Sequence, residues 1–169
     1  MLKVDLRELA RGPVDTVGEL AGSDPLFAGL DLTLAGPVGV RGRVQATGDG
    51  RFYWHGTLSA QLLDQCRRCL APVAVDVQAD VGALFCRDPE ALDDPDCYVL
   101  AANATAIDLA PAIREELILA IPAYVVCREE CRGLCPQCGR DLNTGSCGCT
   151  PPPASWRPLA ALKDKLSHS

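Results

Sequence analysis

Six cysteines between residues 127 and 149 are the residues whose type and spacing best suit chemistry. They are Cys127, Cys131, Cys135, Cys138, Cys147 and Cys149. Two residues separate Cys135 from Cys138, so both thiolates can reach one ion, and Gly139 permits a left-handed turn after them. Because few hydrophobic residues accompany these cysteines, burial alone cannot fold the segment. A structural zinc ion supplies the missing free energy, on the order of 10 to 16 kcal/mol in isolated peptides.

The sequence alone does not decide which two other cysteines complete a tetrahedral site with Cys135 and Cys138. The two cysteines before them and the two after them are equally placed to do so, and the cluster predicts about one zinc ion per chain. Catalytic zinc sites normally use histidine or carboxylate ligands, whereas no histidine lies between residues 55 and 168. The site is therefore predicted to be structural. A thiol redox switch and unliganded cysteines are the alternatives.

A second cysteine motif is the turn Cys66-Arg67-Arg68-Cys69. The two arginines would lower the pKa of a nearby thiolate, which suits redox chemistry, but no thioredoxin-like pattern surrounds the pair. A structural turn, a functional contact, a partial metal site and a redox pair all stay open, and these four residues are candidates for a functional surface. The opening residues show no secretion signal, so we expect a cytoplasmic protein with reduced thiols. The remaining cysteines, Cys86 and Cys97, are predicted to be isolated.

Motifs of common enzyme classes are missing from the sequence. It contains no P-loop, no dinucleotide-binding glycine motif, no zincin motif and no serine-hydrolase motif. Its two histidines offer little general acid–base machinery, and the adjacent Glu115 and Glu116 would point apart on a helix. No catalytic residue is assigned, and a non-enzymatic protein is expected.

Apolar periodicity predicts the elements that must position these residues. Alternation with a period of two over about residues 38–85 indicates three antiparallel strands, with a hairpin at Gly48-Asp49-Gly50. A helix is predicted over about residues 109–121, capped by Asp108 and ended by Pro122. Residues 13–30 are predicted to be loop with one short element at most. The fold class is α+β: a small antiparallel sheet packed by one or two helices, with a zinc-stapled C-terminal segment.

Three segments are predicted along the 169 residues. Residues 1–126 form the α+β domain, residues 127–150 form the zinc-binding segment, and residues 151–169 form a proline spacer and a short helix. The formal net charge of −6 argues against a histone-like nucleic-acid binder. Five acidic residues crowd the stretch 88–96, which is predicted to be a solvated loop. No run of 18 apolar residues suggests a membrane span.

In their order along the chain, these motifs resemble the YceD family. The resemblance extends over most of the chain after residue 35, and the matching segments are Cys66-Arg67-Arg68-Cys69-Leu70, Ile107-Asp108-Leu109, Arg114–Pro122, Cys127–Cys149 with Leu142-Asn143, and Trp156 with Leu159 and Leu162. It implies a bacterial cytoplasmic protein, with relatives in plastids, that is linked to accumulation of large-subunit ribosomal RNA and to ribosome assembly. Some relatives lack the C-terminal cysteines, which makes zinc a stabilising feature and directs attention to the Cys66–Leu70 turn and the Asp108–Pro122 segment.

Three functions follow as hypotheses. The first is a non-enzymatic assembly factor whose partners are precursor large-subunit ribosomal RNA or ribosome assembly proteins. A mixed basic and aromatic strand face could make RNA contacts, although a solvated face is the simpler interpretation; it comprises Arg41, Arg43, Arg51, Tyr53 and His55. The second is a thiol redox or metal-dependent enzyme that uses Cys66 and Cys69. The third is a protein adaptor that binds a basic partner through the acidic stretch 88–96.

Overall fold

Three long antiparallel strands form the centre of the protein. They are β4 (Val38–Gly48), β5 (Arg51–Gln65) and β6 (Pro72–Cys86), paired in that order. The computed structural model describes residues 2–48, 50–87 and 97–150. The predicted sheet over about residues 38–85 is confirmed, and so is the α+β class. The acidic stretch 88–96 and the predicted C-terminal helix lie outside the described residues.

Short strands extend this sheet at both edges. Strand β2 (Val14–Leu20) pairs antiparallel with β4, β3 (Thr33–Leu34) pairs with β5, and β7 (Cys97–Val99) pairs parallel with β6. Residues 13–30, predicted to be loop with one short element, contain two elements: the seven-residue strand β2 and a 3-10 turn at Pro25–Phe27. Thr16 is buried in this strand, and its hydroxyl accepts a 3.1 Å hydrogen bond from the indole of Trp54, a tertiary contact that local alternation does not reveal.

The Cys86–Cys97 pair differs from the prediction of isolated thiols. In the structure these two residues form a disulfide. Strand β7 runs parallel to the end of β6. Cys97 of β7 therefore lies opposite Leu84 of β6 and close to Cys86, which is two residues further along β6. The prediction failed because the pairing depends on a parallel edge strand that sequence spacing does not show.

Two helices lie near a second, two-stranded sheet. Strand β1 (Lys3–Asp5) leads into α1 (Leu6–Leu9) and pairs with β8 (Ala106–Asp108), which leads into α2 (Ala110–Ala120). The predicted cap differs from the structure: Leu109 is at the N-cap of α2 with no side-chain cap hydrogen bond, and a carboxylate oxygen of Asp108, one residue earlier, accepts a 3.0 Å hydrogen bond from the amide of Ala110. No helix in the described part of the chain has the length and apolar character to cross a bilayer.

A single large hydrophobic core joins helix α2 to the sheet. The inner face of α2 contributes Ala112, Ile113 and Leu117, all fully buried. They belong to the same cluster as Trp54 and Val40 of the central strands. This core fixes the end of α2 against the sheet, so it also fixes the direction in which the chain leaves the helix towards the C-terminal cysteines.

Candidate metal centres

Eight cysteines outside the disulfide form two groups of four. We call Cys66, Cys69, Cys127 and Cys131 site A, and we call Cys135, Cys138, Cys147 and Cys149 site B. Within each group, the four sulfur atoms all lie within 4.8 Å of one another. Each group has the composition of a four-cysteine structural metal site.

The two groups differ from the single cluster predicted from the sequence. The sequence left two possible pairs of further ligands for Cys135 and Cys138. In the structure, the two cysteines that follow them complete site B. The two that precede them instead join the Cys66 and Cys69 turn. The expectation of about one metal ion per chain is therefore corrected to two candidate centres. The signal that could have found site A was the spacing of Cys66 and Cys69, which is the same as that of Cys135 and Cys138.

The two paired-cysteine turns have the same backbone geometry. In site A, the amide of Leu70 donates a 2.9 Å hydrogen bond to the carbonyl of Cys66, and Leu70 has a φ of 60°. In site B, the amide of Gly139 donates a 2.9 Å hydrogen bond to the carbonyl of Cys135, and Gly139 has a φ of 72°. In each turn, a residue in the left-handed conformation thus follows the second cysteine, and both thiols of the turn belong to the same group of four. Among the described non-glycine residues, Leu70 alone has a positive φ.

The chain reaches site A from two directions. The turn connects the end of β5 to the start of β6, and the other two ligands arrive from the segment after α2. A 2.8 Å hydrogen bond from the amide of Arg67 to the carbonyl of Val125 joins these two parts. Site A therefore ties the sheet to the C-terminal segment, which places it across the predicted boundary at residue 126.

The sulfur positions in site A fit a tetrahedral zinc ion. The Sγ atoms of Cys66 and Cys131 are 3.8 Å apart, and those of Cys69 and Cys127 are 3.7 Å apart. A zinc–sulfur bond of about 2.3 Å gives a tetrahedron whose edge is about 3.8 Å. These two sulfur pairs are therefore spaced as zinc ligands, and all four sulfur atoms lie within 4.8 Å of one another.

The electrostatics of the thiols also favour a cation. In site A, burial acts to raise the pKa of Cys66, but hydrogen bonds from the amides of Cys127, Cys69 and Arg68 outweigh it and lower the pKa to about 6. Partial burial of the sulfur and hydrogen bonds to the neighbouring thiols raise the pKa of Cys127 to about 12. One thiolate is thus stabilised while its neighbour keeps a proton, because adjacent negative charges repel one another.

In site B, too, the pKa values of the thiols are shifted in opposite directions. Backbone amides of Cys138 and Gln137 lower the pKa of Cys135 to about 6. Hydrogen bonding to Cys138, together with burial, raises the pKa of Cys149 to about 12. A divalent cation at the centre of either group would stabilise all four thiolates and release the remaining protons.

Arg68 holds the two sites together and is not a free cation at the tip of the turn. Its guanidinium donates hydrogen bonds to the carbonyls of Glu129 (2.9 Å) and Cys131 (3.1 Å). Its own carbonyl accepts a 3.0 Å hydrogen bond from the amide of Leu134, the residue before site B. A Cβ at Gly133 would lie 2.9 Å from the same carbonyl, so this close approach requires glycine. Arg67 and Arg68 are both exposed.

The proposed basic and aromatic strand face exists as one exposed surface. Arg43 lies opposite His55 in the register of β4 and β5, and Tyr53 is next to His55 with ring centroids 6.5 Å apart. Arg43 is paired with Asp15 of β2 at 2.6 Å, so its charge is partly neutralised. Arg41 lies on the same face. The structure therefore brings together the residues that the sequence suggested, with a smaller net positive charge than their number indicates.

Comparison with known protein families identifies a family whose model matches this sequence. The family model described as "Large ribosomal RNA subunit accumulation protein YceD" matches residues 54–164. The chain belongs to the YceD family. The matched range includes every cysteine of sites A and B, together with Arg68 and helix α2. No solved structure gave a significant match.

Curated relatives of this YceD-family chain include bacterial and plant proteins. An uncharacterized protein of Mycobacterium tuberculosis is 36% identical over 102 residues, which are 59% of this chain and 49% of the relative. The uncharacterized protein YlbN of Bacillus subtilis is 28% identical over 66% of this chain and 64% of its own length. The maize protein named "Large ribosomal RNA subunit accumulation protein YCED homolog 1, chloroplastic" is 26% identical over 87% of this chain and 64% of its own length. The chain spans about half the length of the mycobacterial relative.

Proposed function

We propose that this protein is a non-enzymatic, cytoplasmic factor that supports the accumulation of large-subunit ribosomal RNA. The observation that carries the proposal is the family match over residues 54–164, which includes both cysteine sites. The name of the maize relative supports the same role. The partners would be precursor large-subunit ribosomal RNA or proteins that assemble on it.

Zinc is the metal that sites A and B would hold. Both ligand sets consist of four cysteines, and the sulfur spacing in site A matches zinc–thiolate bond lengths. Four protein ligands leave no open coordination position for a substrate or an activated water. The two ions would therefore have a structural role, holding the segment 123–150 rigidly against the end of the sheet.

Binding is the activity that this arrangement supports. A zinc-stapled module at the end of the long strands, and a polar face on those strands, provide fixed positions for contacts to RNA or protein. Arg41 and the ring pair of Tyr53 and His55 would offer a phosphate contact and a stacking surface, respectively. Arg67 would add a second exposed cation at the edge of site A.

Deletion of the gene followed by complementation tests the proposal. We expect the ratio of mature large-subunit to small-subunit ribosomal RNA to fall in the deletion strain and to recover with the wild-type gene. The Cys66→Ser, Cys135→Ser double variant should fail to restore the ratio. The matched control is the Cys86→Ser, Cys97→Ser double variant, which also removes two cysteines but alters neither site. An unchanged ratio in the deletion strain would contradict the proposed function.

Thiol redox chemistry is the second candidate function. Its supporting observation is the pKa of Cys66, lowered to about 6, which gives a reactive thiolate at neutral pH. Equilibration of the purified protein with glutathione buffers, with and without a zinc chelator, separates the two functions. A structural zinc site should stay reduced until the chelator is added, whereas a redox pair should follow the buffer potential in both conditions.

A further inference from the structure

Sites A and B differ in how far solvent reaches their cysteines. In site A, Cys66, Cys69 and Cys131 are buried, and Cys127 alone is exposed. Apolar side chains pack against the three buried cysteines: Ala71, Val73, Val126 and Leu134. The sulfur of Cys127 lies 3.7 Å from that of the buried Cys69. An oxidant in solution therefore meets apolar packing before it meets most of the thiols of site A.

Site B is more open to solvent. Cys138 is exposed, Cys147 and Cys149 are half-buried, and only Cys135 is buried. Three glycines in the same loop also border open space. Among the described residues, and apart from the chain neighbours of each glycine, no atom lies within 4 Å of a Cβ added at Gly139, Gly145 or Gly148. Susceptibility of a cysteine to oxidation follows its exposure, so site B presents the more reactive thiols.

The segment 135–150 depends on site B for its structure. Cys135 is the only buried residue in this segment, so hydrophobic burial contributes little to its folding. Four thiolates around one ion would supply most of the free energy that orders it. Loss of the ion would therefore unfold this segment, whereas site A is also held by packing against the end of the sheet.

We propose that site B is an oxidation-sensitive zinc site, in which a peroxide links Cys138 to Cys149 and the ion is released. Cys138 is the exposed ligand, so a peroxide reaches it first. Its thiol is hydrogen-bonded to that of Cys149. The other pairings are less favourable, because Cys135 is buried and a bond between Cys147 and Cys149 would close a strained ring over a single residue.

The oxidation consumes one peroxide for each disulfide. The thiolate of Cys138 attacks a peroxide oxygen, so the O–O bond breaks, the sulfur becomes a sulfenic acid and a hydroxide leaves. The thiolate of Cys149 then attacks that sulfur, so an S–S bond forms, the S–O bond breaks and a second hydroxide leaves. With hydrogen peroxide, the two sulfurs lose two electrons, and both hydroxides take up protons and become water. Site B keeps two thiolates, too few to hold a tetrahedral zinc ion.

Zinc release from the zinc-loaded, full-length protein tests the proposal. Hydrogen peroxide is added in excess, and a zinc-binding dye records the released ions against an untreated sample. We expect half of the zinc to appear in a fast phase from site B and half in a slow phase from site A. Trypsin cleaves after Arg132 and Arg140, so Cys138 and Cys149 fall on different peptides. After the fast phase, mass spectrometry without reduction should find these peptides joined through those two cysteines.

Two matched variants assign the phases to the sites. Cys66→Ser removes a ligand of site A, and Cys135→Ser removes a ligand of site B. The zinc that remains in Cys66→Ser should leave entirely in the fast phase. The zinc that remains in Cys135→Ser should leave entirely in the slow phase. A dithiol reductant with added zinc should restore the fast phase in the wild type, because a disulfide is reducible.

Three results would overturn the proposal. One is release of both ions from the wild type in a single phase. Another is the reverse assignment, with fast loss from Cys135→Ser and slow loss from Cys66→Ser. The third is a fast phase after which Cys138 and Cys149 are not joined. The first and third need only the wild type, so they decide the matter even where a variant does not fold.

The proposal rests on the assignment of zinc to the two sites. Zinc content measured before peroxide is added tests that assignment separately, and protein without zinc would refute both. No readout requires ribosomal RNA, so a failure of the proposed role in ribosomal RNA accumulation would leave this result unchanged. The redox function considered for Cys66 is also distinct, because it concerns a buried ligand of site A.

Discussion

The side-chain amide of Asn143 donates a hydrogen bond to the sulfur of Cys131, with the two atoms 3.5 Å apart. Asn143 follows site B's first two ligands in the chain, whereas Cys131 is a ligand of site A. The same amide donates a 2.6 Å hydrogen bond to Asp141, and the Asn143 carbonyl oxygen accepts a 2.9 Å bond from the amide of Arg132. One side chain in the loop of site B therefore orients a ligand of site A and the backbone next to it.

Replacement of this residue should weaken site A. In Asn143→Ala, the hydrogen bond that helps to lower the pKa of Cys131 is lost, so its thiolate is less available to a metal. Loss of such an outer contact typically reduces metal affinity by about 10-fold to 100-fold. Competition of the purified protein with a zinc-binding dye measures the effect. Thr144→Ala is the control, because the hydroxyl of Thr144 contacts the carbonyl of Asp141 and no sulfur. Equal affinities of the two variants would rule out the orienting role.

The purified protein should contain two zinc ions per chain, one for each group of four cysteines. Cys66→Ser and Cys135→Ser should each lower the content to about one ion, since each removes a ligand from a different group. Elemental analysis of protein purified without chelators makes the measurement. A content of one ion in the wild type, or loss of both ions in Cys66→Ser, would show that the two groups are not independent sites.

The left-handed conformation of Leu70 should carry a measurable energetic cost. A non-glycine residue at a φ of 60° is strained, whereas glycine adopts this conformation freely. Because Leu70 is 58% exposed, little burial is lost on its replacement. We expect Leu70→Gly to raise the free energy of unfolding by about 0.5 to 1 kcal/mol, measured by denaturant titration of the zinc-loaded protein. Leu70→Ala keeps the strain and should give no such gain; an equal gain in both variants would refute the explanation.

Zinc binding should depend on pH in a way that follows from the separated thiol pKa values. At pH 7 the thiols of Cys66 and Cys135, with pKa lowered to about 6, are already ionised, whereas Cys127 and Cys149, with pKa raised to about 12, are protonated. Zinc must displace the protons of the second pair but not those of the first. Calorimetry in buffers of different ionisation enthalpy should therefore report fewer than four protons released per zinc at pH 7.

The sign of the pH effect is set by competition between protons and zinc. As pH falls through about 6, Cys66 and Cys135 also become protonated, and zinc affinity should decrease more steeply below that pH than above it. Dye competition between pH 5 and pH 8 would reveal the change in slope. A slope that stays constant across this range would contradict the lowered pKa values.

The central part of the fold was predictable from local patterns. Strands β4 to β6 alternate apolar and polar residues over long runs, and α2 has an apolar stripe with Asp108 just before its N-cap and Pro122 after its end, so each element is specified by its own residues. The short edge strands β2 and β7 were not predictable, because their positions depend on partners such as Trp54 and Cys86.

The two cysteine sites also differ in how far they could be predicted from the sequence. Spacing alone indicated that Cys135 and Cys138 bind one ion, because both ligands belong to one turn. It could not show that the Cys66 turn meets Cys131, which is 65 residues away in the chain. That contact depends on the length of β6 and on how α2 packs on the sheet, and neither is contained in the spacing of the cysteines.

The long sequence separation in site A has a consequence for the order of folding. Cys69 and Cys127 are 58 residues apart, so an ion shared by them closes a large loop that includes β6, β8 and α2. Closure of such a loop is entropically unfavourable until the intervening elements have packed. During synthesis, Cys66 and Cys69 leave the ribosome first and can bind a metal with only two thiolates until the remainder of the domain has folded. Full coordination at site A would therefore be a late event, and the tightly bound ion would mark chains whose sheet and helix are already assembled.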